Sequence, residues 1–416
     1  MSAQTVTAPS NSQVNKIWRK VQGPVSEALN FECEEWAALD KLEEEGLAWS
    51  LREVTFPLDI TEGGRVSQIP EGGSLTLPWS PNAEEVTLTP VFYNTRFAAS
   101  ILAMYVDQNG GDAMIENELK FRGTASVRAM ARAVSDDYYG FGTSILALTN
   151  SDISGTTVQL TLISGYGVTG ITNTTFICDK FRISDRIAIL SAGSYQQTGT
   201  ITTITASSGV IAVVLDAALT ITTDGLQIVR ANAVESTQTS YNRGLTGLLD
   251  GMTSSAIQGL DKTSIANWSV AYSDTSTSRF TGTMMHIAKD SVKNFGGGKV
   301  DVCEIDQAVF RDLSLQSESS LRQTDPYNLV IDGAAKSKGV EWRSTRRVPP
   351  GYVFPRNSSG LRKWQLNPKP GTAFAWRDGL ERPDDSFMTF SADFPIQLAW
   401  KSRKKGTYFS GKQGQS

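Results

Sequence analysis

The chain reads as an α+β fold built around one long helix, with an extended β-hairpin before that helix and a small all-β domain inserted after it. Three observations predict this. Asp112–Tyr138 carries Ile115, Leu119, Val127, Met130, Val134 and Tyr138 as an apolar stripe at helical spacing. Val54–Phe92 alternates short β-prone pieces with Gly63-Gly64, Gly72-Gly73 and Pro57, Pro70, Pro78, Pro81 and Pro90, the pattern of a long irregular hairpin. Residues 151–231 are rich in Thr, Ser, Ile, Val and Gly and contain no Pro, Trp or Met. Their short alternating stretches have the spacing of a small barrel or sandwich.

Taken in order, residues 1–24 are polar and expected to be mobile. Met1–Asn15 lacks the apolar run of a secretory signal. Val25–Glu45 predicts a helix through Leu29, Trp36, Leu39 and Leu42, ended or bent at Gly46. The hairpin pieces are Val54–Ile60, Ser74–Trp79 and Glu85–Phe92. A lone hairpin of this length is unstable in water, so it needs a partner surface. Arg96–Asp107 predicts a short helix from Phe97, Ile101 and Tyr105. Asn109-Gly110-Gly111 breaks it, and Asp112 is placed to cap the long helix. Gly123 is expected to weaken the middle of that helix. Within the insert, Thr157–Ile163, Arg182–Leu190, Thr198–Ala206, Val210–Leu215 and Leu226–Arg230 predict strands. Beyond it, Ser278–Asn294 and Gln307–Arg322 predict helices, the first stopped by Gly296-Gly297-Gly298. Val300–Ile305, Asn328–Ile331, Val340–Arg343, Gly351–Phe354 and Phe387–Trp400 predict strands.

Composition removes several classes of chemistry. The 416 residues hold one histidine, His286, on the face of a predicted helix, and three distant cysteines, Cys33, Cys178 and Cys303. They supply neither a multi-histidine metal site nor a disulfide framework. No cofactor or metal is expected. The glycine-rich Ser164-Gly165-Tyr166-Gly167 is followed by no P-loop Lys-Ser/Thr. Asp136-Asp137 and Asp384-Asp385 are adjacent pairs whose side chains diverge, so neither makes an acid/base couple by itself. The chain is therefore expected not to be an enzyme. A carboxylate-dependent carbohydrate enzyme and a tail tube or fibre component remain as alternatives. No apolar run is long enough to cross a membrane as a helix.

Charge is uneven. Residues 1–90 hold 6 Lys+Arg against 14 Asp+Glu, net −8, and residues 336–416 hold 16 against 6, net +10. The loop span 54–92 sets Asp59, Glu62, Glu71, Glu84 and Glu85 against Arg65, net −4. Opposite signs at the two ends suit contact between unlike surfaces of neighbouring copies. Candidate partners for the acidic loop are Arg346, Arg347, Lys401, Arg403, Lys404 and Lys405.

The order of parts, read with three local stretches, resembles the major capsid protein of tailed bacteriophages, the Hong Kong 97-like capsid fold. Tyr139-Gly140-Phe141-Gly142-Thr143 resembles a Tyr-Gly-Asp-Gly-Thr pattern that follows the long helix there, with Phe141 in place of Asp. Arg243-Gly244-Leu245-Thr246-Gly247-Leu248-Leu249 resembles the Gly-Leu-x-Gly-Leu stretch that opens the axial domain. Phe181–Ile189 with Asp185-Arg186, and Asp224-Gly225, resemble the Gly-Asp strand pattern of an inserted barrel, in altered order. The resemblance implies a division into an N-terminal arm (1–52), an extended loop (53–92) and a peripheral domain with the long helix (93–150). It continues with an inserted β-barrel-like domain (151–231), an axial domain (232–375) and a C-terminal β region returning to the peripheral domain (376–416). It further implies hexamers and pentamers of an icosahedral shell around packaged double-stranded DNA, contacted non-specifically. Separate scaffolding, portal and decoration proteins would be partners, and the protein would reside in the virion after assembly in the host cytoplasm. No lysine occurs between Lys41 and Lys120, so lysine-to-asparagine crosslinks of the kind some relatives use are not expected at the loop.

Overall fold

A computed structural model of the chain describes residues 11–42, 48–49, 53–59, 83–100, 112–150, 153–162, 174–192, 194–207, 210–221, 223–231, 244–265, 268–321, 339–366, 374–381 and 387–413. These fall into two compact units. The expected strands Ser74–Trp79 and Asn328–Ile331 lie outside the described residues.

The first unit comprises residues 1–42, 90–138 and 363–398. Its two long helices are Asn11–Glu32 and Asp112–Tyr138. The first corrects the expectation of a mobile start over residues 11–24, and residues 1–10 lie outside the described residues. Val14, Ile17, Trp18, Val21, Val25 and Leu29 recur at helical spacing and are all buried, so a narrow apolar stripe specifies this helix despite its polar remainder. The chain then turns through Cys33 into the single turn Glu34–Ala37, where the sequence suggested one continuous helix. Gly123 is where the long helices meet. A Cβ there would stand 3.0 Å from the buried Trp18 ring and 3.2 Å from Val25 Cγ1, so the glycine that weakens the helix lets the pair close.

Against these helices lies a sheet in which Phe387–Trp400 is central. Val91–Ser100 pairs with it antiparallel, from Val91↔Ile396 to Ser100↔Phe387, and Ala375–Glu381 pairs along its other side. Val91–Ser100 is a second correction, since Arg96–Ser100 was expected to be helical. Residues 101–107 of that expected helix lie outside the described residues. The stretch is rich in aromatic and β-branched residues, and ten ladder partners outweigh the local i, i+4 spacing. Phe97 stacks on Phe390 of the partner strand, centroids 5.1 Å apart, and both rings lie beside Trp18.

The second unit comprises residues 43–89, 139–362 and 399–416. Val54–Asp59 and Ala83–Leu88 form the base of the extended hairpin, in register from Val54↔Leu88 to Asp59↔Ala83. Six strands close a barrel in the order Gln227–Arg230, Ile145–Thr149, Ile153–Thr161, Val210–Ile221, Ser194–Ser207, Arg186–Ser191. Its interior holds Val158, Ile187, Ile189, Ile201, Val213 and Ile228, all buried. The barrel begins at Ile145, ahead of the composition shift at 151, because its first strand, Ile-Leu-Ala-Leu-Thr, has an ordinary core composition. Val229 pairs with Ile145, so the two ends of the barrel are adjacent, as an insertion into a host chain requires.

The rest of this unit is a five-stranded sheet ordered Tyr272–Asp274, Thr407–Phe409, Val353–Arg356, Val302–Asp306, Glu341–Thr345. Helices Gly282–Gly296 and Gln307–Leu321 accompany it. Thr281 caps the first by accepting from Met284 N–H, and Gly297 ends it in the left-handed conformation. Thr407–Phe409 is a third correction. Residues 376–416 were expected to return as one piece to the peripheral domain, but the chain divides after Leu398. Phe409 joins the core of the second unit against Phe280 and Tyr272. No helix among the described residues is long and apolar enough to cross a membrane.

Candidate assembly surface

Glu84 and Glu85 stand exposed on the returning strand of the hairpin, opposite Leu58 and Pro57. Asp59 ends the outgoing strand opposite Ala83. Glu62 and Glu71 lie outside the described residues. The described base of the loop thus presents adjacent carboxylates to solvent from a narrow hairpin.

The basic candidates divide. Arg346 is exposed, with its guanidinium 4.0 Å from the Asp179 carboxylate. Arg347 is half-buried, and its N–H donates to Thr345 Oγ1. Lys401, Lys404 and Lys405 are half-buried in and beside the short turn Arg403–Lys405. Lys405 Nζ donates to Ser359 Oγ at 2.9 Å. Arg403 is a correction: it is 1% exposed, and Nη2 donates to Ser254 O at 2.7 Å. Burial pushes its pKa below the usual value, against the opposing pull of the Asp250 carboxylate. A side chain held this way is part of the interior and leaves the set of cations available to another copy.

Sequence reasoning missed that Arg403 is one of several such cations. Arg356, Lys363 and Lys412 are also buried. Arg356 Nη2 meets Glu304 Oε1 at 2.8 Å across neighbouring strands. Lys412 Nζ donates to Asp274 Oδ2, Ser276 O and Ser278 Oγ at 3.0, 2.8 and 3.1 Å. Lys363 Nζ donates to Trp36 O at 2.7 Å. The net +10 of residues 336–416 therefore overstates the basic surface. A weak signal was present: each lies within or beside an apolar strand, as in Tyr352-Val353-Phe354-Pro355-Arg356.

His286 is exposed on its helix. Asp137 is buried and accepts from Tyr93 Oη. Burial raises the thiol pKa of Cys33 and Cys303, and such thiols are poor nucleophiles. Among the described residues no group of three or more His, Cys, Asp and Glu is arranged to hold a metal ion.

No family model matches this sequence. No curated protein matches it either. Solved structures do. The cyanophage A-1(L) capsid asymmetric unit superposes over 91% of this chain and 93% of that one, with a TM-score of 0.50 at 9% identity. Mycobacterium phage Patience matches over 99% and 92% at 10% identity and TM-score 0.40. A virus-like particle from Pyrococcus furiosus matches over 94% and 98% at 8% identity and TM-score 0.37. At such identities the likeness speaks to fold, and the first of these carries it. The chain has the Hong Kong 97-like fold of phage capsid shells, α+β with an inserted barrel.

Proposed function

We propose that this protein is a major capsid protein whose copies assemble as hexamers and pentamers into an icosahedral shell around double-stranded DNA. The observation that carries the reading is the near full-length match to a phage capsid subunit. The mechanism is assembly, not catalysis. The extended hairpin, net −4 over residues 54–92, gains a partner surface on a neighbouring copy and docks on basic surface there. Interfaces in closed rings are heterologous, so unlike patches must match. Many weak contacts sum over a shell, and none needs to be strong. Residues 90–138 act as a peripheral domain with residues 363–398, and residues 232–362 act with residues 399–416 as an axial domain around the capsomer axes. The barrel is an accessory to folding or to contacts between subunits. Separate scaffolding, portal and decoration proteins, and the DNA, are the expected partners in the virion.

Electron microscopy of the purified, concentrated protein tests this. Closed shells with five- and six-fold capsomers are expected. Tubes, fibres or uniform small particles under all assembly conditions would overturn the proposal.

A further inference from the structure

The chain leaves the first unit after Leu42, carries the extended loop, and returns at Pro90. Both ends are held on neighbouring strands of one sheet. At the return, Val91 pairs with Ile396 at the start of the ten-residue ladder. At the departure, one residue of the adjacent strand Leu361–Gln365 makes four hydrogen bonds to the segment. Lys363 N–H donates to Asp40 O at 2.9 Å, and Lys363 O accepts from Leu42 N–H at 2.8 Å. Its Nζ donates to Trp36 O at 2.7 Å and to Ala37 O at 3.2 Å. Those two carbonyls end the helical turn Glu34–Ala37, and Trp36 O also accepts from Leu39 N–H at 3.3 Å. The ammonium also lies 5.8 Å from the Trp36 ring centre.

Lys363 is 8% exposed. Taking an ammonium out of water is costly, and an apolar side chain of the same length would fill the space without that cost. What an apolar side chain lacks is direction. The ammonium is held at carbonyls of residues 36 and 37 while the same residue's backbone is held at residues 40 and 42, so the segment entering the loop has one place to lie.

We propose that Lys363 is a positioning residue for assembly: it fixes the point from which the extended loop departs, and so the register in which the loop meets a neighbouring copy. This rests on the shell reading above. The test compares full-length wild type with Lys363→Met, which keeps the stem and loses the ammonium, and Lys363→Arg, which keeps a charged donor. Backbone amide exchange of residues 39–42 is measured on unassembled protein, with Asp112–Tyr138 as internal control. Assembly is followed by light scattering and microscopy. In Lys363→Met, residues 39–42 should exchange at least ten-fold faster with the control helix within two-fold. The protein concentration needed for shells should rise several-fold or particle sizes should broaden, and Lys363→Arg should recover part of both. Unchanged exchange at 39–42 would overturn the proposal. So would faster exchange with an unchanged assembly threshold and size, or equal acceleration in the control helix, which would mark a general stabilising role. Wild type that forms no shells would instead sink the shell reading and the assembly role with it. The exchange comparison would still decide whether Lys363 holds the segment.

Discussion

Lys412 has no exposed side-chain surface, and its ammonium is matched by Asp274 Oδ2, Ser276 O, Ser276 Oγ and Ser278 Oγ. Burial alone would raise the Asp274 pKa. Hydrogen bonds from Ser276 and the Lys412 charge outweigh it and hold the carboxyl below its usual value. Lys412→Met should cost about 2 kcal/mol in urea unfolding, because these bonds involve a charged group. The cost stays below that of a fully buried pair because Asp274 keeps some solvent. With its folded pKa depressed, Asp274 adds stability above the unfolded value of 3.8 and loses it as pH falls through the folded value. The difference between wild type and Lys412→Met should therefore shrink on acidification. A difference that stays constant down to pH 2 would contradict this. Lys363 is also shifted down, so its pH dependence has the same sign in a higher window, although here it is the charged form that the fold disfavours. Burial first, then the Lys41 charge, lower its pKa from 10.5 to about 8. Between those values the unfolded chain holds a proton that the native chain has shed, so stability gains with rising pH. The melting temperature of wild type should rise relative to Lys363→Met between pH 8 and 10.5, and parallel curves would argue against the assignment. Neither lysine is visible as an interior group in the sequence. Lysine in a short strand reads as solvated charge, and which cation turns inward depends on carbonyls and hydroxyls contributed from over a hundred residues away.

Elements were legible where a local period agreed with the tertiary environment. Asp112–Tyr138 was readable from its stripe and its breaker Asn109-Gly110-Gly111, and Phe387–Trp400 from fourteen residues of β-prone sequence. Arg96–Ser100 was misread because Phe97 and Ile101 share a helical spacing, while the strand is specified by its pairing with residues nearly three hundred positions later. The N-terminal helix was missed because Val14, Ile17, Trp18 and Val21 sit among Lys16, Arg19 and Lys20, and polarity masked the stripe. The barrel was legible as a composition shift, with only its first strand hidden. It has a contiguous core of its own and adjacent ends at Ile145 and Val229. A fragment of residues 144–231 should thus fold alone, with β-rich circular dichroism and one cooperative thermal transition. A fragment that lacks a transition, or that shows mainly helix, would mean that the barrel depends on the rest of the unit.

At the scale of the whole molecule, the sequence supplied the order of parts, but the size of the surface charge had to await burial. Removing Arg356, Lys363, Arg403 and Lys412 from the C-terminal tally leaves a weaker basic surface than net +10 suggests. The acidic side of the proposed pairing is better placed, because Glu84 and Glu85 are exposed on a narrow hairpin. Exposed pairs are worth about 0–1 kcal/mol each, so charge reversal should leave the fold of the single chain intact. In the proposed shell every copy repeats the contact, however, so small differences multiply. Glu84→Lys combined with Glu85→Lys should raise the protein concentration needed for assembly several-fold at about 0.05 M salt. Screening shortens to roughly 3 Å at about 1 M salt, so the double variant and wild type should converge there. Equal melting temperatures of the unassembled chains would confirm that the substitution acts between copies. If the two proteins assemble alike across the whole salt range, the loop is held by its apolar side chains and backbone, and the charge asymmetry of the sequence serves something other than loop docking.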